Sequence, residues 1–513
     1  MRSFRRARPG KHNWGNKVYG VVLLLASTAI VLPAQTLTTL HNFDNTSSDG
    51  AEPHAGLVQA TNGDLYGATA AGGSFGGGTV FKVTPGGTLT QVYSFCSTTG
   101  CTGTFPYAGL VQAGNGDFYG TTENGGTHNA GTVFKITARG VLTTIYNFCP
   151  KSGCADGQNP YAGLVQGTNG DFYGTTEGGG ANGNRGTVFK ITPRGTLTTL
   201  HSFCAQSACT DGWEPTAGLI LATNGEFYGT TVIGGANGYG SVFKISPSGK
   251  LTTVYSFCSQ SGCTDGENPH GGLVQATNGD FYGTTGYGGA NVCLTNGVNF
   301  GCGTVFKVTP GGKLTTLHSF CSLSACADSQ TPYATLVQGT DGALYGTTLG
   351  PSPGTNYFGT IFKITLSGKL TTLYTFCSQS ACADGSYPFA GLVQETNGNF
   401  YGTTEYGGSS SNCGIYSTGA NLGCGTVFRL SVGLGPFVET QPSSGQVGAA
   451  VNILGTNLKS ASSVLFNGTT AVFTVVSSSE ITTTVPNGAT TGKVQVTASG
   501  GTLSSNNDFQ VLP

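Results

Sequence analysis

A Tyr-Gly pair recurs seven times along this 513-residue chain, at intervals of 53 to 63 residues. Around each pair the same unit appears, as in AGLVQGTNGDFYGTTEGGGANGNRGTVFKITPRGTLTTLHSF over residues 162–203. The tyrosines are Tyr66, Tyr119, Tyr173, Tyr228, Tyr282, Tyr345 and Tyr401. Self-similarity at a nearly fixed period predicts a repeat architecture, in which each unit buries its apolar face against its neighbours.

Each unit contains four strand-like segments, GLVQ, DFYGTT, GTVFKIT and LTTLHSF, which are rich in β-branched and aromatic residues. Asn169-Gly170 separates the first two segments and suits a tight hairpin. A Gly-rich loop follows the second segment, and Pro193-Arg194-Gly195 follows the third. Four antiparallel strands in about 50 residues form one blade of a β-propeller. The alternative is an open β-solenoid, which usually has shorter rungs and parallel strands.

The phase of the repeat predicts closure of a ring. Residues 36–43, TLTTLHNF, form a fourth segment without the first three, and the seventh repeat ends at residues 425–431, GTVFRLS, without a fourth. Pairing the two pieces completes one blade and removes an open edge. We therefore expect an all-β fold with a seven-bladed β-propeller over residues 35–431, each blade with strands a to d.

Composition agrees with an all-β globular chain. Glycine accounts for 86 residues and charged residues for only 9%, yet hydrophobic residues reach 37%. Such a chain can bury a core, so the glycines are expected to serve tight turns.

Residues 1–34 have the pattern of a secretory signal peptide. Six Lys and Arg residues precede the apolar run 18–32, and Pro33-Ala34 follows it. The alternative is an uncleaved membrane anchor, although about 15 apolar residues fall short of the ~20 that a spanning helix needs. Removal of this segment leaves 16 Lys and Arg against 23 Asp and Glu, with no basic patch for nucleic acid. We expect an exported protein, extracellular, at the cell surface or periplasmic, without a membrane span in the mature chain.

Sixteen cysteines, an even number, point to an oxidising compartment. Six d–a linkers carry a Cys-x4-Cys pair: Cys96/Cys101, Cys149/Cys154, Cys204/Cys209, Cys258/Cys263, Cys321/Cys326 and Cys377/Cys382. The first linker lacks both cysteines, which indicates that the two members of a pair bond to each other. The enlarged b–c loops of the fifth and seventh repeats add Cys293/Cys302 and Cys413/Cys424. The alternative is zinc, which needs four ligands and would have to join adjacent linkers.

The direction of the chain alternates within a blade, so the b–c loops and the d–a linkers share one face. Each linker ends in Pro followed by a residue at the start of strand a, which is Thr216 in the fourth repeat and a planar side chain in the others: His54, Tyr107, Tyr161, His270, Tyr333 and Phe389. If strand a is innermost, these six residues surround the mouth of the channel. They could stack on sugars or other planar ligands, and the alternative is packing between neighbouring loops.

Three further positions recur, each with two interpretations. Aspartates in the linkers either hydrogen-bond their own turns or bind Ca²⁺: Asp49, Asp156, Asp211, Asp265, Asp328 and Asp384. Cations in strand c either pair with nearby carboxylates or form an anion-binding ring: Lys82, Lys135, Lys190, Lys244, Lys307, Lys363 and Arg429. Glu123, Glu177 and Glu405 follow strand b and either serve structure or supply paired carboxylates.

The sequence contains no group of unique polar residues that we recognise as catalytic. His41, His201 and His318 occupy a slot that other repeats fill with tyrosine, and we interpret them as packing residues. No HExxH or P-loop motif occurs in the sequence, and neither GxSxG nor GxGxxG occurs in the strand–turn–helix context that a hydrolase or a nucleotide-binding site requires. We assign no catalytic residue, no metal ligand and no resident cofactor, with Ca²⁺ as the one alternative.

Composition changes after Ser431. Residues 432–435 are a linker, and residues 436–513 contain short alternating strands with a hairpin signal at Asn467-Gly468 and no cysteine. About 78 residues of this pattern predict a compact immunoglobulin-like β-sandwich.

The repeat GLVQATNGDFYGTT…GTVFKVTPGGKLTTLHSF resembles the GloVer tandem repeat of exported bacterial proteins over roughly residues 36–431. That resemblance implies a bacterial exported protein and no particular catalytic activity. The C-terminal segments QPSSGQVGAAVNILGTNL, VLFNGTTAVF and VPNGATTGKVQVT resemble an IPT/TIG domain. This second resemblance implies an immunoglobulin-like module that surface proteins use for spacing or binding.

We expect a non-catalytic exported or cell-surface binding protein, with a glycan or a surface protein as partner. Near-identical repeats multiply one weak contact, which suits a repeating ligand such as a polysaccharide. The alternative is a propeller hydrolase or lyase that acts on carbohydrate at the Cys-rich face. Two carboxylates converging in a deep pocket would favour the enzyme. The sequence indicates no oligomeric state.

Overall fold

The structure, a computed structural model, describes residues 35–96, 101–150, 153–295, 298–350, 358–413 and 423–513. Regular structure in these ranges consists of strands and five short 3₁₀ turns. No helix within them has the length and the apolar character needed to cross a bilayer. The predicted signal peptide, residues 1–34, lies outside the described residues.

The repeat region forms seven four-stranded antiparallel sheets, each in the order a-b-c-d. The a strands are Val58–Gln59, Val111–Gln112, Val165–Gln166, Ile220–Leu221, Val274–Gln275, Val337–Gln338 and Val393–Gln394. The b strands are Leu65–Thr69, Phe118–Thr122, Phe172–Thr176, Phe227–Thr231, Phe281–Thr285, Leu344–Thr348 and Phe400–Thr404. The c strands are Gly76–Val83, Thr132–Ile136, Thr187–Ile191, Ser241–Ile245, Thr304–Val308, Thr360–Ile364 and Thr426–Ser431. The d strands of repeats 1 to 6 are Leu89–Cys96, Leu142–Asn147, Leu197–Ser202, Leu251–Ser256, Leu314–Ser319 and Leu370–Thr375.

The seventh sheet takes its d strand from the start of the described chain. Strand Thr36–Asn42 pairs antiparallel with Thr426–Ser431, with Thr36 opposite Ser431 and Asn42 opposite Thr426. The phase of the repeat predicts this pairing, and the strand register confirms it. Just beyond the strand, Phe43 is fully buried against Phe81 of repeat 1, with ring centroids 5.3 Å apart.

The recurrent Tyr-Gly pair packs one sheet against the next. Tyr119 is buried and stacks on Phe172 of the following repeat, with ring centroids 4.1 Å apart. The glycine beside it leaves room for the strand c phenylalanine, because a Cβ at Gly120 would lie 2.6 Å from the ring of Phe134. Tyr401 of repeat 7 shares a buried cluster with repeat 1. This packing between neighbouring sheets explains why every residue of the seven b strands is buried.

Repeat 7 contacts repeat 1 through the same bonds that link successive repeats. Thr121 donates from its hydroxyl to the carbonyl of Ala162 in the next repeat over 2.9 Å, and Thr403 donates likewise to Ala55 over 3.2 Å. The peptide N–H of Thr396 donates to the side chain of Gln59 over 3.0 Å, as the N–H of Thr61 does to Gln112. Sheets 1 and 7 are therefore neighbours.

Strand a is shorter than the predicted segment GLVQ, because only its last two residues pair with strand b. The glycine two residues before it lies close to the backbone of the preceding repeat. A Cβ at Gly163 would lie 3.1 Å from the carbonyl oxygen of Gly109, and one at Gly391 would lie 2.7 Å from that of Thr335. Neighbouring a strands therefore approach to backbone contact.

The C-terminal residues form two four-stranded sheets around one core. One sheet contains, in order, Glu439–Gln441, Ala450–Leu454, Glu480–Thr484 and Phe473–Val475. The other contains Thr469–Thr470, Ser463–Phe466, Val494–Ala498 and Gly501–Ser504. A parallel pair, Ser444–Gln446 with Gln510–Leu512, completes the domain. Ile453 and Ile481 of the first sheet face Val464 and Val496 of the second in a fully buried core.

This domain contacts the a–b turns of the repeats. Ser479 donates to the carbonyl of Thr61 in repeat 1, and Asn506 donates to that of Gln338 in repeat 6. The N–H of Phe437 donates to the carbonyl of Thr396 in repeat 7. The contacts lie on the face opposite the linkers and the b–c loops, so the Cys-rich face is not covered by them.

Candidate functional site

The d–a linkers and the b–c loops meet on one face, as the alternating chain direction predicts. Bridges join Thr104 of one linker to Asn124 of a b–c loop, and Trp213 of another linker to Ile233. The residue before each linker proline adopts a left-handed conformation. Its peptide group anchors the turn, as when the carbonyl of Glu214 accepts from the N–H of Val232. This anchored turn places the residue after the proline.

The six planar side chains predicted to surround the channel mouth lie in one continuous series of ring contacts. Centroids are 5.0 Å apart for Tyr161 and Tyr107, and 4.9 Å apart for Tyr107 and His54. His54 lies 4.6 Å from Phe389, which contacts Tyr333 at 6.0 Å. Tyr333 stacks on His270 at 4.2 Å. All six are partly buried, and we call them the aromatic cluster.

Thr216 of repeat 4 occupies the seventh position, between repeats 3 and 5. Its hydroxyl oxygen is buried and has no hydrogen-bond partner among the described residues. On the repeat 5 side, burial lowers the pKa of His270 to about 4, so this imidazole is neutral at physiological pH. Tyr333 donates from its hydroxyl to that of Tyr287 in the enlarged b–c loop over 2.9 Å. His270 and Tyr333 therefore present uncharged planar faces.

Five glutamates border the aromatic cluster, and we call them the carboxylate cluster: Glu405, Glu52, Glu123, Glu177 and Glu214. They come from repeats 7, 1, 2, 3 and 4 in succession. His54 joins the two groups, because its Nε2 lies 3.1 Å from Oε1 of Glu405. At the matching positions after strand b, repeats 5 and 6 carry Gly286 and Leu349. The border is therefore acidic on one side only.

The carboxylates lie close enough to affect one another. Burial, followed by the charge of Glu177, raises the pKa of Glu123 above its usual value. Burial and then Glu214 raise the pKa of Glu177, and burial and then Glu405 raise that of Glu52. Perturbed carboxyl groups grouped in one place are typical of functional sites, although structural clusters share this property.

The pKa values of two tyrosines in the aromatic cluster reflect the same negative charges. Burial raises the pKa of Tyr107 to about 12, and the carboxylates of Glu123, Glu52 and Glu405 add to the effect. Burial also raises the pKa of Tyr161, with contributions from Tyr107 and the neighbouring glutamates. Both hydroxyls therefore remain protonated and can donate hydrogen bonds.

Sequence reasoning missed Glu52 and Glu214 and gave the other three glutamates no preferred binding role. The available signal was asymmetry, because Glu follows strand b in only three of seven repeats.

Sequence reasoning also missed Arg185 and Trp213. The guanidinium of Arg185 lies 3.8 Å from the centroid of the Trp213 ring, a cation–π contact at the edge of the carboxylate cluster.

Eight disulfides stabilise this face. Six close the linker loops: Cys96–Cys101, Cys149–Cys154, Cys204–Cys209, Cys258–Cys263, Cys321–Cys326 and Cys377–Cys382. Two close the enlarged loops: Cys293–Cys302 and Cys413–Cys424. Disulfides of this density are typical of proteins that fold in an oxidising compartment.

The recurrent linker aspartates hydrogen-bond their own turns. Asp211, which is fully buried, accepts from Nε2 of His201 over 2.9 Å and from the N–H groups of Ala205 and Gln206. Tyr255 donates in the same way to Asp265. These bonds match the own-turn interpretation.

The interpretation of the slot histidines as packing residues is incomplete. His41, His201 and His318 do contact phenylalanines edge to face. Each also bonds the linker aspartate, and that polar partner explains why histidine and tyrosine, but not phenylalanine, fill the slot.

The strand c lysines pair with carboxylates of the a–b turns, as one of the two interpretations states. Lys244, for example, lies 2.8 Å from Oε2 of Glu226. In repeat 7 the acid is replaced by Asn399 and the lysine by Arg429, which hydrogen-bonds Tyr401. These cations lie on the a–b face, away from the aromatic cluster, and the carboxylates neutralise the six lysines.

The repeats match a known family model. The model described as the Gloeobacter/Verrucomicrobia repeat covers residues 12–155, 151–293 and 292–416, which is most of the chain. The chain belongs to this repeat family. Residues 437–511 match the IPT/TIG domain. Both findings confirm the resemblances that the sequence motifs indicate. No curated protein sequence matches the chain.

Solved structures similar to this repeat protein are distant. Polysaccharide lyase Uly1 is 10% identical, with a TM-score of 0.42, over 78% of this chain and 99% of that one. A Trypanosoma rangeli sialidase is 9% identical, with a TM-score of 0.39, over 78% and 60%. An auxiliary nutrient binding protein from Bacteroides ovatus is 14% identical, with a TM-score of 0.37, over 77% and 76%. Similarity at this level indicates neither a ligand nor an activity.

Proposed function

We propose that the repeat region, residues 35–431, is a seven-bladed β-propeller that an immunoglobulin-like sandwich, residues 436–513, follows after the linker 432–435. Seven sheets of identical strand order support the propeller. So do the matching bonds between repeats 1 and 7 and the pairing of Thr36–Asn42 in the seventh sheet. Strand a is then innermost, and the aromatic cluster surrounds the channel mouth on the Cys-rich face.

The proposed function is non-catalytic binding of carbohydrate outside the cytoplasm, at the cell surface or in the surrounding medium. Residues 1–34 act as a signal peptide in this proposal, and the eight disulfides support an oxidising destination. The aromatic cluster carries the proposal, because planar side chains from six of seven repeats lie in one continuous series of ring contacts and remain partly exposed.

The chemistry of sugars suits both the aromatic cluster and the carboxylate cluster. The C–H faces of a pyranose ring pack on flat aromatic side chains, and its hydroxyls donate to carboxylates. Glu123 and Glu177 are partly buried acceptors beside Tyr107 and Tyr161. Five grouped carboxylates repel anions, so the expected ligand is a neutral or amine-bearing glycan rather than an acidic one.

A glycan array with the mature chain tests this proposal. A neutral or amino glycan should bind, and Tyr107→Ala should weaken binding about tenfold, as a truncated aromatic anchor typically does. Val472→Ala is the matched control, because Val472 is 90% exposed in the C-terminal domain, outside the aromatic cluster. Selective binding of acidic glycans, or equal affinity of Tyr107→Ala and Val472→Ala, would contradict the proposal.

The carboxylate cluster supports a second candidate, a hydrolase or lyase that acts on carbohydrate. A carboxyl with a raised pKa can donate a proton, and an ionised neighbour can act as base or nucleophile. Glu123 and Glu177 have raised pKa values and interact with each other. A screen for reducing-end release from neutral polysaccharides separates the candidates. Turnover that Glu123→Gln or Glu177→Gln abolishes would establish that the protein is an enzyme. Glycan binding without any turnover would support the proposal of a non-catalytic binding protein.

A further inference from the structure

Two disulfides lie side by side at the junction of repeats 5 and 6. Cys293–Cys302 closes the enlarged b–c loop of repeat 5, and Cys321–Cys326 closes the linker that leads to repeat 6. The sulfur atoms of Cys293, Cys302 and Cys321 all lie within 4.8 Å of one another. Sγ of Cys321 therefore lies within 4.8 Å of both sulfurs of the other bridge.

This arrangement occurs at one place in the described residues. The enlarged loop of repeat 7 has its own bridge, Cys413–Cys424, but the linker beside it, residues 44–54, contains no cysteine. At the junction of repeats 5 and 6 the backbones are also tied together, because the N–H of Thr331 in the linker donates to the carbonyl of Cys302 over 3.0 Å. The proximity of the sulfurs is thus held by the fold.

We propose that Cys293, Cys302, Cys321 and Cys326 form a thiol–disulfide exchange site that opens in the presence of a low-molecular-mass thiol. Exchange proceeds by attack of a thiolate on a disulfide sulfur. The external thiolate attacks Sγ of Cys326, forms a mixed disulfide there and releases Cys321 as a thiolate. Cys321 then attacks Sγ of Cys302. The Cys302–Cys321 bond forms, the Cys293–Cys302 bond breaks, and its electron pair leaves on Cys293, which takes up a proton from water.

A polar partner decides which sulfur leaves. The side chains of Cys293 and Cys302 are both buried, and that of Cys321 is partly buried. Sγ of Cys293 lies 2.6 Å from Oε1 of Gln330 in the linker. A thiol at Cys293 can donate a hydrogen bond to this amide oxygen, so attack at Cys302 with release of Cys293 is favoured and the product bridge is Cys302–Cys321.

The exchange reaches the aromatic cluster. The loop that Cys293–Cys302 closes carries Phe300, whose ring centroid lies 5.9 Å from that of Tyr287. Tyr287 accepts the hydrogen bond from Tyr333 of the aromatic cluster. When Cys302–Cys321 replaces Cys293–Cys302, Cys293 is no longer bonded to the end of the loop. The residues before Cys293, which include Tyr287, lose this constraint, and Tyr287 is the hydrogen-bond partner of Tyr333. The exchange site therefore couples the thiol concentration of the surrounding solution to the conformation of the aromatic cluster at the channel mouth.

The test uses the full mature chain carrying Cys326→Ala, alkylated with iodoacetamide in denaturant and mapped without reduction. We expect a Cys302–Cys321 peptide and alkylation at Cys293. Cys382→Ala is the matched control. It leaves Cys377 alone in an equivalent linker, where no group of three neighbouring sulfurs exists among the described residues, so Cys377 itself should be alkylated.

Two results would overturn the proposal. One is alkylation of Cys321 in Cys326→Ala with the Cys293–Cys302 bridge intact. The other concerns the wild-type chain, in which no substitution can impair folding. Incubation with reduced glutathione should produce the Cys302–Cys321 peptide with glutathione bound at Cys326, and glutathione bound at Cys326 with Cys321 as the alkylated thiol would count against exchange.

Discussion

The side-chain amide of Gln59 donates a 3.1 Å hydrogen bond to Oε1 of Glu395 and so joins repeat 1 to repeat 7. The second carboxylate oxygen of Glu395 is buried without a hydrogen-bond partner among the described residues. Glu395 is 2% exposed, and this burial raises its pKa to about 7. The other repeats carry a small residue at this position: Ala60, Ala113, Gly167, Ala222, Ala276 and Gly339.

Glu395 should make stability depend on pH. Its folded pKa lies above the value of 4.5 that the unfolded chain has. The protonated form therefore stabilises the fold fully below about pH 4.5, and this contribution is lost as the pH rises through about 7. At about 1.4 kcal/mol per pKa unit, the change is on the order of 3 kcal/mol.

Glu395→Gln keeps an acceptor for Gln59 and removes the ionisation. Between pH 4.5 and pH 8, its free energy of unfolding should fall by about 3 kcal/mol less than that of the wild type. Chemical denaturation at the two pH values measures the difference. An identical pH dependence in both proteins would show that Glu395 is not the responsible group.

Phe43→Ala should loosen the seventh sheet. Phe43 is fully buried between repeats 7 and 1, and removal of such a ring typically costs about 3–5 kcal/mol. Thr38→Ala is the control, because Thr38 is an exposed residue of the same strand. Thermal unfolding compares the two. Equal melting temperatures would mean that residues 36–43 do not hold repeat 7 to repeat 1.

Gly391→Ala should destabilise the protein, whereas Gly56→Ala should have little effect. The two glycines occupy the same position in the neighbouring repeats 7 and 1. A Cβ at Gly391 would lie 2.7 Å from the carbonyl oxygen of Thr335, but one at Gly56 would lie 3.9 Å from that of Gly391. Backbone atoms cannot move aside cheaply, so we expect a cost of about 1–3 kcal/mol for Gly391→Ala. Urea denaturation of both variants checks the contrast, and a reversed order would contradict the close approach of the a strands.

His201→Tyr should be tolerated, and His201→Phe should not. Tyrosine fills the same slot in repeat 4, where Tyr255 donates to Asp265. Phenylalanine would leave buried Asp211 without its side-chain donor. Loss of a hydrogen bond to a charged group costs about 1.5–3 kcal/mol, and the tyrosine variant should remain within about 1 kcal/mol of the wild type. Equal destabilisation of the two variants would instead support a pure packing role for His201.

The aromatic positions could be predicted because a local rule identifies them. Each follows the linker proline, as Tyr107 follows Pro106, and the rule repeats at every linker. Glu52 and Glu214 precede that proline in only two linkers, so periodicity does not distinguish them from other turn residues. Their role appears once the linkers are brought side by side.

The sequence by itself determined the strands, their order within each repeat and the pairing of Thr36–Asn42 with Thr426–Ser431. β-Propensity, turn residues and repeat phase are local properties that a linear pattern carries. Only the tertiary structure decided which side chains meet across repeats. Glu405 lies near Glu52 and His54 because repeat 7 contacts repeat 1, although more than 350 residues separate them in the sequence. Burial and then the charge of Glu405 raise the pKa of Glu52, and both effects depend on distances through space rather than on spacing along the chain.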